Sequence, residues 1–356
     1  MKIMIVVYNL FGVGGLERAT CKLANELVNA GHSVVIASLW FNASKPFFEL
    51  HPGIEIVSFG RLAPKLTRMY LQLPLLLRRA IKNYGIDRVI VSDSQLAVTA
   101  GLANIMLPSN MIVWEHFHSQ MGALFGSRSI GRLYASLFAN KIVVLTEADK
   151  KSWSRRFFCK QKVVSIPNFL TCSRSSLPYN IDSKTVIAVG RYCYVKGFDL
   201  LVSAWALLPE HLRSDWTLKI FGPKSDFKNK VSGLVESLNL SDSVELHDAT
   251  ADIVSEYQRS AMFVLSSRQE PFGLVITEAL ANKLPVLAFN CPMGPMDILQ
   301  NKYGICVPAE DISALAEQMQ LLMEQPELRK HFSDNGFERS KDYTEEQILV
   351  HWLKLL

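Results

Sequence analysis

The chain has 356 residues, 49% hydrophobic and 20% charged, a globular composition that excludes a disordered protein. Its length favours two domains or one large one. The net charge of +5 suits an anionic ligand or an anionic membrane surface, and is too small to argue nucleic acid. No apolar run reaches the ~18 residues of a membrane-spanning helix. The six cysteines form no C-x-x-C pair, so a reduced cytoplasmic chain is expected.

Lys2–Val7 reads as a buried strand. The opening MKIMIVVYNL has no small-residue cleavage site, so it is not read as a signal peptide. The turn FGVGGLER (11–18) follows, then a helix to Ala30 closed by Gly31. Gly12, Gly14 and Gly15 allow a tight turn with close backbone approach. A dinucleotide fingerprint would need a third glycine where Glu17 stands. The second strand, Ser33–Leu39, also ends without the acid that a dinucleotide ribose requires.

Residues 60–85 interleave Arg61, Lys65, Arg68, Arg78, Arg79 and Lys82 with Leu62, Leu66, Met69, Leu73, Leu76 and Leu77. This basic amphipathic pattern suits an anionic membrane surface, or else an ordinary flank helix with solvated arginines. Pro64 and Pro74 argue against one unbroken helix. Asp87–Ser92 and Asn110–Trp114 read as further strands, the second running into the string WEHFH (114–118). A histidine at the carboxyl end of a parallel strand sits where open α/β sheets bind ligands. His116 and His118 are the candidates; no further ligands accompany them, so no metal site is expected. Lys141–Leu145 is a strand, and Thr146 caps the helix after it. Val163–Asn168 precedes a polar, proline-containing stretch, 171–179, which reads as a domain boundary.

The second half restarts with a strand at Thr185–Val189 and the loop GRYCYVKG (190–197). Arg191 and Lys196 stand at a helix start, where cations are disfavoured unless an anion is bound. Strands at Leu218–Phe221 and Val244–His247 follow, each leading to a helix. The stretch 261–289, AMFVLSSRQEPFGLVITEALANKLPVLAF, then reads as strand, loop, helix, strand. Met262–Leu265 is the first strand, Gly273–Lys283 a helix with Leu274, Val275, Ala279 and Leu280 on its apolar face, and Leu284–Phe289 the second strand. Gly273 lets a ligand approach the backbone of Phe272–Val275, at a helix N-terminus that attracts anions. Glu270 lies in the loop, and Glu278 stands roughly 7–8 Å along the helix axis and leans back toward the turn. Both carboxylates suit hydroxyl groups beside an anion, which together describe a sugar nucleotide. Helices are expected at Asp311–Met323, Pro326–Arg339 and Glu345–Leu355.

The spacing Glu270-x7-Glu278, the turn EPFGLV, the following CPMGP (291–295) and the segment GRYCYVKG resemble the family-four retaining glycosyltransferases of the GT-B fold, over nearly the whole chain. The resemblance implies two doubly wound Rossmann-like α/β domains facing a central cleft. They would span residues 1–168, on the acceptor side, and 180–340, which bind the nucleotide sugar; a C-terminal helix, 341–356, would cross back. By that resemblance Glu270 faces the donor sugar, the amides of Phe272, Gly273, Leu274 and Val275 hold its diphosphate with Arg191 and Lys196, and Glu278 binds the ribose. The loop Asp248–Thr250 would hold the base. Gly14 and Gly15 touch the donor's phosphates or sugar, and His116, or His118 one turn on, lies near sugar and acceptor. Met296 and Asp297 depart from the polar or basic residue and the glutamate usual there, which leaves sugar and acceptor details open.

The function so implied is metal-independent retaining transfer of a hexose or N-acetylhexosamine from a nucleotide sugar, UDP-linked, to a lipid-linked bacterial surface glycan. The setting would be the inner face of the cytoplasmic membrane, with no cofactor. A non-catalytic sugar-nucleotide sensor and a GT-B epimerase are the alternatives. The sensor would need Arg191 and Glu278 but neither Glu270 nor His116.

Overall fold

The structure is a computed structural model and describes residues 1–43, 45–120, 126–157 and 159–356. The chain divides into two compact units, Met1–Phe169 with Glu345–Leu356, and Leu170–Thr344. Each is a Rossmann-like layer structure around one parallel sheet.

The first unit runs β1 (Lys2–Asn9), α1 (Gly15–Asn29), β2 (Ser33–Trp40), β3 (Glu55–Ser58), α2 (Leu73–Tyr84), β4 (Arg88–Ser92), α3 (Ala97–Asn104), β5 (Asn110–Trp114), α4 (Ser127–Phe138), β6 (Lys141–Val144), α5 (Glu147–Phe157) and β7 (Val163–Ser165). Its strands lie in the order β3-β2-β1-β4-β5-β6-β7. The central strands are buried on both faces, which explains their uninterrupted Ile, Val and Met runs. The order reverses between β1 and β4, and right-handed crossovers put α1 on one face and α2–α5 on the other.

The second unit runs β8 (Thr185–Val189), α6 (Phe198–Ala206), α7 (Glu210–Asp215), β9 (Thr217–Phe221), α8 (Asp226–Ser237), β10 (Val244–His247), α9 (Ile253–Arg259), β11 (Met262–Leu265), α10 (Leu274–Ala281), β12 (Val286–Asn290), α11 (Gly294–Leu299), β13 (Ile305–Pro308), α12 (Ile312–Glu324) and α13 (Pro326–Arg339). Its order, β10-β9-β8-β11-β12-β13, reverses between β8 and β11. The last helix, α14 (Glu345–Leu355), belongs to the first unit. There Trp352 meets Trp114 edge to face with ring centroids 5.1 Å apart, and Glu345 pairs with Lys22 of α1 at 2.6 Å.

The division between the units falls at Phe169 and Leu170, at the edge of the expected boundary stretch, and residues 171–179 belong to the second unit: Ser175 donates its amide to Ala281 at 2.8 Å, and the Tyr179 hydroxyl donates to the Ala261 carbonyl at 2.6 Å. Ser173 and Ser176 in that stretch stay exposed, while Ser175 is buried. Two local expectations are corrected. Pro74 does not break the helix it sits in. The chain is helical from Leu66 through a π-turn at Arg68–Gln72 into α2, and Pro74 stands in the first turn of α2, where its missing N–H costs little. In α10 the expected apolar face is shifted: Leu274 and Val275 are half-exposed, while Ile276 through Ala281 are all buried. Packing by α11 and α13 surrounds the helix, so it has no single apolar stripe.

Candidate active site

In an open parallel sheet the ligand crevice lies beyond the carboxyl ends of the strands where their order reverses. In the second unit those strands are β8 and β11, and the loops leaving them are GRYCYVKG (190–197) and SSRQEPFG (266–273). The two loops are stitched together. Arg268 donates its amide to the Val195 carbonyl at 2.8 Å, and Ser266 Oγ donates to the Lys196 carbonyl at 3.0 Å. Gly197 has φ +63°, and a Cβ there would stand 2.0 Å from the Ser266 carbonyl oxygen, so only glycine permits this approach.

That packing sets the charges. Lys196 Nζ lies 2.5 Å from Glu270 Oε2, a pair with side chains only 18% and 11% exposed, and Ser267 Oγ adds a 3.3 Å bond to the same oxygen. Arg191 is exposed and has no hydrogen-bond or ionic partner among the described residues. The segment after β12 closes the turn from the other side. The Gly294 amide donates to Glu270 O at 3.0 Å, and a Cβ on Gly294 would strike the Phe272 carbonyl at 2.2 Å. Gly273 caps α10 at φ +103° without any side-chain cap, so the first amides of α10 are left for a ligand. Glu278 is buried and accepts from Thr171 and, at 3.2 Å, from the Tyr257 hydroxyl. Burial and then the Glu270 charge push the Cys291 thiol up to about 12, so it is inert.

In the first unit the reversal lies between β1 and β4, and the string WEHFH follows β5 beside them. His116 Nε2 is 3.2 Å from Ser92 Oγ, which is 3.1 Å from Thr20 Oγ1 of α1. Its ring lies 4.2 Å from that of Trp114. Burial lowers its pKa to about 4 against the pull of Asp93, so the imidazole is neutral at pH 7. His118 is also lowered to about 4, by burial and then by Arg132, and neither ring nitrogen has a hydrogen-bond partner among the described residues. Gly14 caps α1, and the Glu17 carboxylate folds back over the turn: a Cβ at Gly14 would come within 2.5 Å of Glu17 Oε2. That turn therefore presents a carboxylate, which matches hydroxyl groups better than phosphate.

Sequence reasoning passed over a buried acid–base cluster in this unit. Glu115 pairs with Arg132 at 2.9 Å, both almost without exposure, and Asp93 takes two bonds from Arg128, whose guanidinium stacks 3.9 Å over Phe117. Burial and Asp93 raise Glu115 to about 7 against the pull of Arg132. Asp93 has φ +98°, uncommon for a residue with a side chain. The acid directly before His116 and the acid closing β4 were the available signals. Arg268 was likewise overlooked, two residues before Glu270.

Lys196, Glu270, the uncapped start of α10 and Glu278 thus lie on the loops and helix that follow β8 and β11, where the strand order of the second unit reverses. Residues 13–174 match the family described as Glycosyltransferase Family 4, and residues 173–339 match Glycosyl transferases group 1. An uncharacterized glycosyltransferase of Haemophilus influenzae is 32% identical over all of this chain and 99% of its own length. The chain belongs to the family 4 glycosyltransferases. A Campylobacter jejuni relative, 25% identical over 100% of this chain and 98% of its own, is named as the GalNAc-alpha-(1->4)-GalNAc-alpha-(1->3)-diNAcBac-PP-undecaprenol alpha-1,4-N-acetyl-D-galactosaminyltransferase. The crystal structure of Anabaena HepE in complex with UDP and glucose shares the fold, with TM-score 0.82, 16% identity and full coverage of both chains.

Proposed function

We propose that the protein transfers a hexose or N-acetylhexosamine, with retention, from a UDP-sugar to a lipid-linked bacterial surface glycan. The observation that carries this is the placement of Lys196, paired with Glu270, and of the uncapped start of α10 on adjacent switch-point loops, with exposed Arg191 in the same loop as Lys196. The diphosphate lies over Phe272–Val275, Arg191 offers it a bidentate fork, and Lys196 a compact charge. As the anomeric C–O bond breaks, charge grows on the leaving diphosphate, and these fixed groups stabilise it without a metal ion. The acceptor hydroxyl attacks from the leaving-group side and passes its proton to the departing diphosphate oxygen, so the new C–O bond replaces the broken one with configuration retained. Glu270 and Glu278 accept hydroxyl hydrogens of sugar and ribose, and the loop Asp248–Thr250 borders the base. In the first unit, neutral His116, held by Ser92, and the Glu17-lined turn at Gly14 and Gly15 offer groups suited to sugar hydroxyls. The named acceptor of the Campylobacter relative and the UDP of the HepE structure support acceptor and donor class. With such an acceptor, the proposed setting is the cytoplasmic face of the membrane.

Membrane contact in this proposal involves more than residues 60–85. Leu71, Leu75, Leu102, Ile105, Met106, Ile130, Leu133, Leu137 and Phe138 are exposed along α2, α3 and α4, which lie side by side on one face of the first unit. Exposed Arg61, Lys65, Arg79 and Lys82 border them, a composition suited to an anionic bilayer surface. Arg78, counted among the membrane-facing charges from sequence, instead bonds the Ala103 and Ile105 carbonyls at the end of α3. No helix among the described residues is long and apolar enough to cross a membrane.

A panel of nucleotide sugars, scored for hydrolysis, binding and transfer to polyprenyl-diphosphate-linked glycans with and without EDTA, tests the reading. Turnover of one UDP-sugar that survives EDTA, with an α-linked product from an α-linked donor, is expected. Loss of all turnover in EDTA with restoration by manganese would remove the metal-independent mechanism. Tight UDP-sugar binding with no turnover on any acceptor would favour a sensor, and an altered free sugar nucleotide an epimerase.

A further inference from the structure

Arg268 makes more directed contacts than any role in surface solubility requires. Its side chain is 10% exposed. Nη1 and Nη2 grip Asp199 of α6 at 2.9 and 2.7 Å, and Nε meets Glu310, beyond β13, at 3.1 Å. Nη1 also donates to the Tyr194 carbonyl at 2.7 Å, and the guanidinium lies 4.0 Å over the Tyr194 ring. Its own amide holds Val195. The group thus ties three separate segments of the unit to residues 194 and 195, immediately before Lys196.

All of these partners lie outside α10, so the contacts bear on the loop that carries Lys196 rather than on the helix start. The target of Arg268 is the short 3₁₀ turn Tyr194–Lys196, which has no side-chain cap of its own and ends at Gly197 in the left-handed region. Such a turn has few internal bonds to fix it, yet it carries the ammonium that lies 2.5 Å from Glu270. Only the five-donor planar fork of arginine can serve two carboxylates and a carbonyl while stacking on a ring; lysine has neither the plane nor the reach. We infer that Arg268 is a positioning residue that fixes the Tyr194–Lys196 turn, and through it the place of Lys196 relative to the leaving group. The inference rests on the donor site proposed above.

A double-mutant cycle on turnover tests it, with Arg268→Ala, Lys196→Ala and both together, beside UDP affinity and thermal unfolding. Arg268→Ala is expected to lower kcat by up to about 10²-fold, the scale for an ångström's misplacement of a catalytic group. UDP affinity should fall far less, because Arg191 and the helix start remain. Added guanidinium should restore part of kcat, whereas Arg268→Lys should not recover it. In the Lys196→Ala background the same substitution should change kcat by no more than about twofold, the limit of ordinary additivity error. An undiminished loss in that background, or normal kcat in a folded Arg268→Ala protein, overturns the inference. If Arg268→Ala does not fold, Arg268→Lys takes its place in the cycle with the same criterion. Normal kcat in Lys196→Ala alone would instead bring down the donor-site assignment, and is thereby distinguishable.

Discussion

Two histidines end β5, and their surroundings give them different parts. His116 has a serine partner; His118 is buried with both nitrogens unpaired among the described residues, and an unsatisfied buried polar group costs about 1–3 kcal/mol. Both have folded pKa values near 4, below the ordinary 6.5. The folded state therefore binds fewer protons than the unfolded one between these values. Each histidine's contribution is complete above pH 6.5 and is lost as pH falls toward 4, by at most about 1.4 kcal/mol per pH unit. Glu115, raised to about 7, acts in the opposite sense: its contribution is complete below 4.5 and lost as pH rises through 7. His118→Leu should accordingly stabilise the fold at pH 7 and stabilise it by about 2 kcal/mol more at pH 5, with turnover retained. Urea unfolding at the two pH values measures this, and an equal effect at both would show that His118 titrates normally. His116→Ala should lower turnover instead. Lys196→Ala should lower turnover by about 10²–10³, the loss on removing one stabilising donor, with a smaller effect on donor affinity. Lys196 and Glu270 were legible in the sequence because each sits in a short motif of fixed spacing. Arg268 and Glu115 were not, since their partners, Asp199 and Arg132, are distant in sequence and meet only in the folded unit.

Among the elements, α10 and α4 carry the most consequence. Gly273 holds φ +103°, and a Cβ there would come 2.9 Å from Ile276 Cδ1. Gly273→Ala should therefore destabilise the fold by about 1–2 kcal/mol and weaken UDP binding, since the turn must shift; calorimetry on the folded variant separates the two effects. Unchanged UDP affinity would place the diphosphate away from α10. On α4, Ile130, Leu133 and Leu137 form one exposed ridge. Leu133→Glu with Leu137→Glu should abolish sedimentation with anionic vesicles while leaving the fold intact, because neither side chain is in the core. Arg79→Glu should weaken it by ~1 kcal/mol per basic residue removed. Equal sedimentation of all variants would assign this face to solvent. Most strand positions were readable from apolar runs, but the short edge strands β3 and β13, largely unburied, were not; the Thr146 cap stands, its Oγ1 accepting the Asp149 amide at 3.1 Å. The helix through Pro74 and the burial of α10 were not readable. A π-turn has no signature in residue pattern, and the helices that enclose α10 come from sequence far beyond it.

At the scale of the whole molecule, strand order decides where chemistry can occur. Both sheets reverse direction at an internal strand pair, β1 with β4 and β8 with β11. Every proposed donor-phosphate ligand lies in a loop leaving β8 or β11, or at the start of α10. The alternation of strand and helix makes the two-unit α/β class readable from the sequence. The strand order itself was not readable from residues, since parallel strands share one apolar signature whatever their neighbours. The 10⁻²-scale effects expected of single substitutions all presume that the diphosphate occupies this switch point. The most direct measurement is amide hydrogen exchange of the intact protein with and without saturating UDP. Slowed exchange at Gly190–Gly197 and Phe272–Val275, with the base-bordering loop Asp248–Thr250 following, is predicted, and the outer strand β7 should be unchanged. UDP binding that leaves both segments at their free rates would contradict the account.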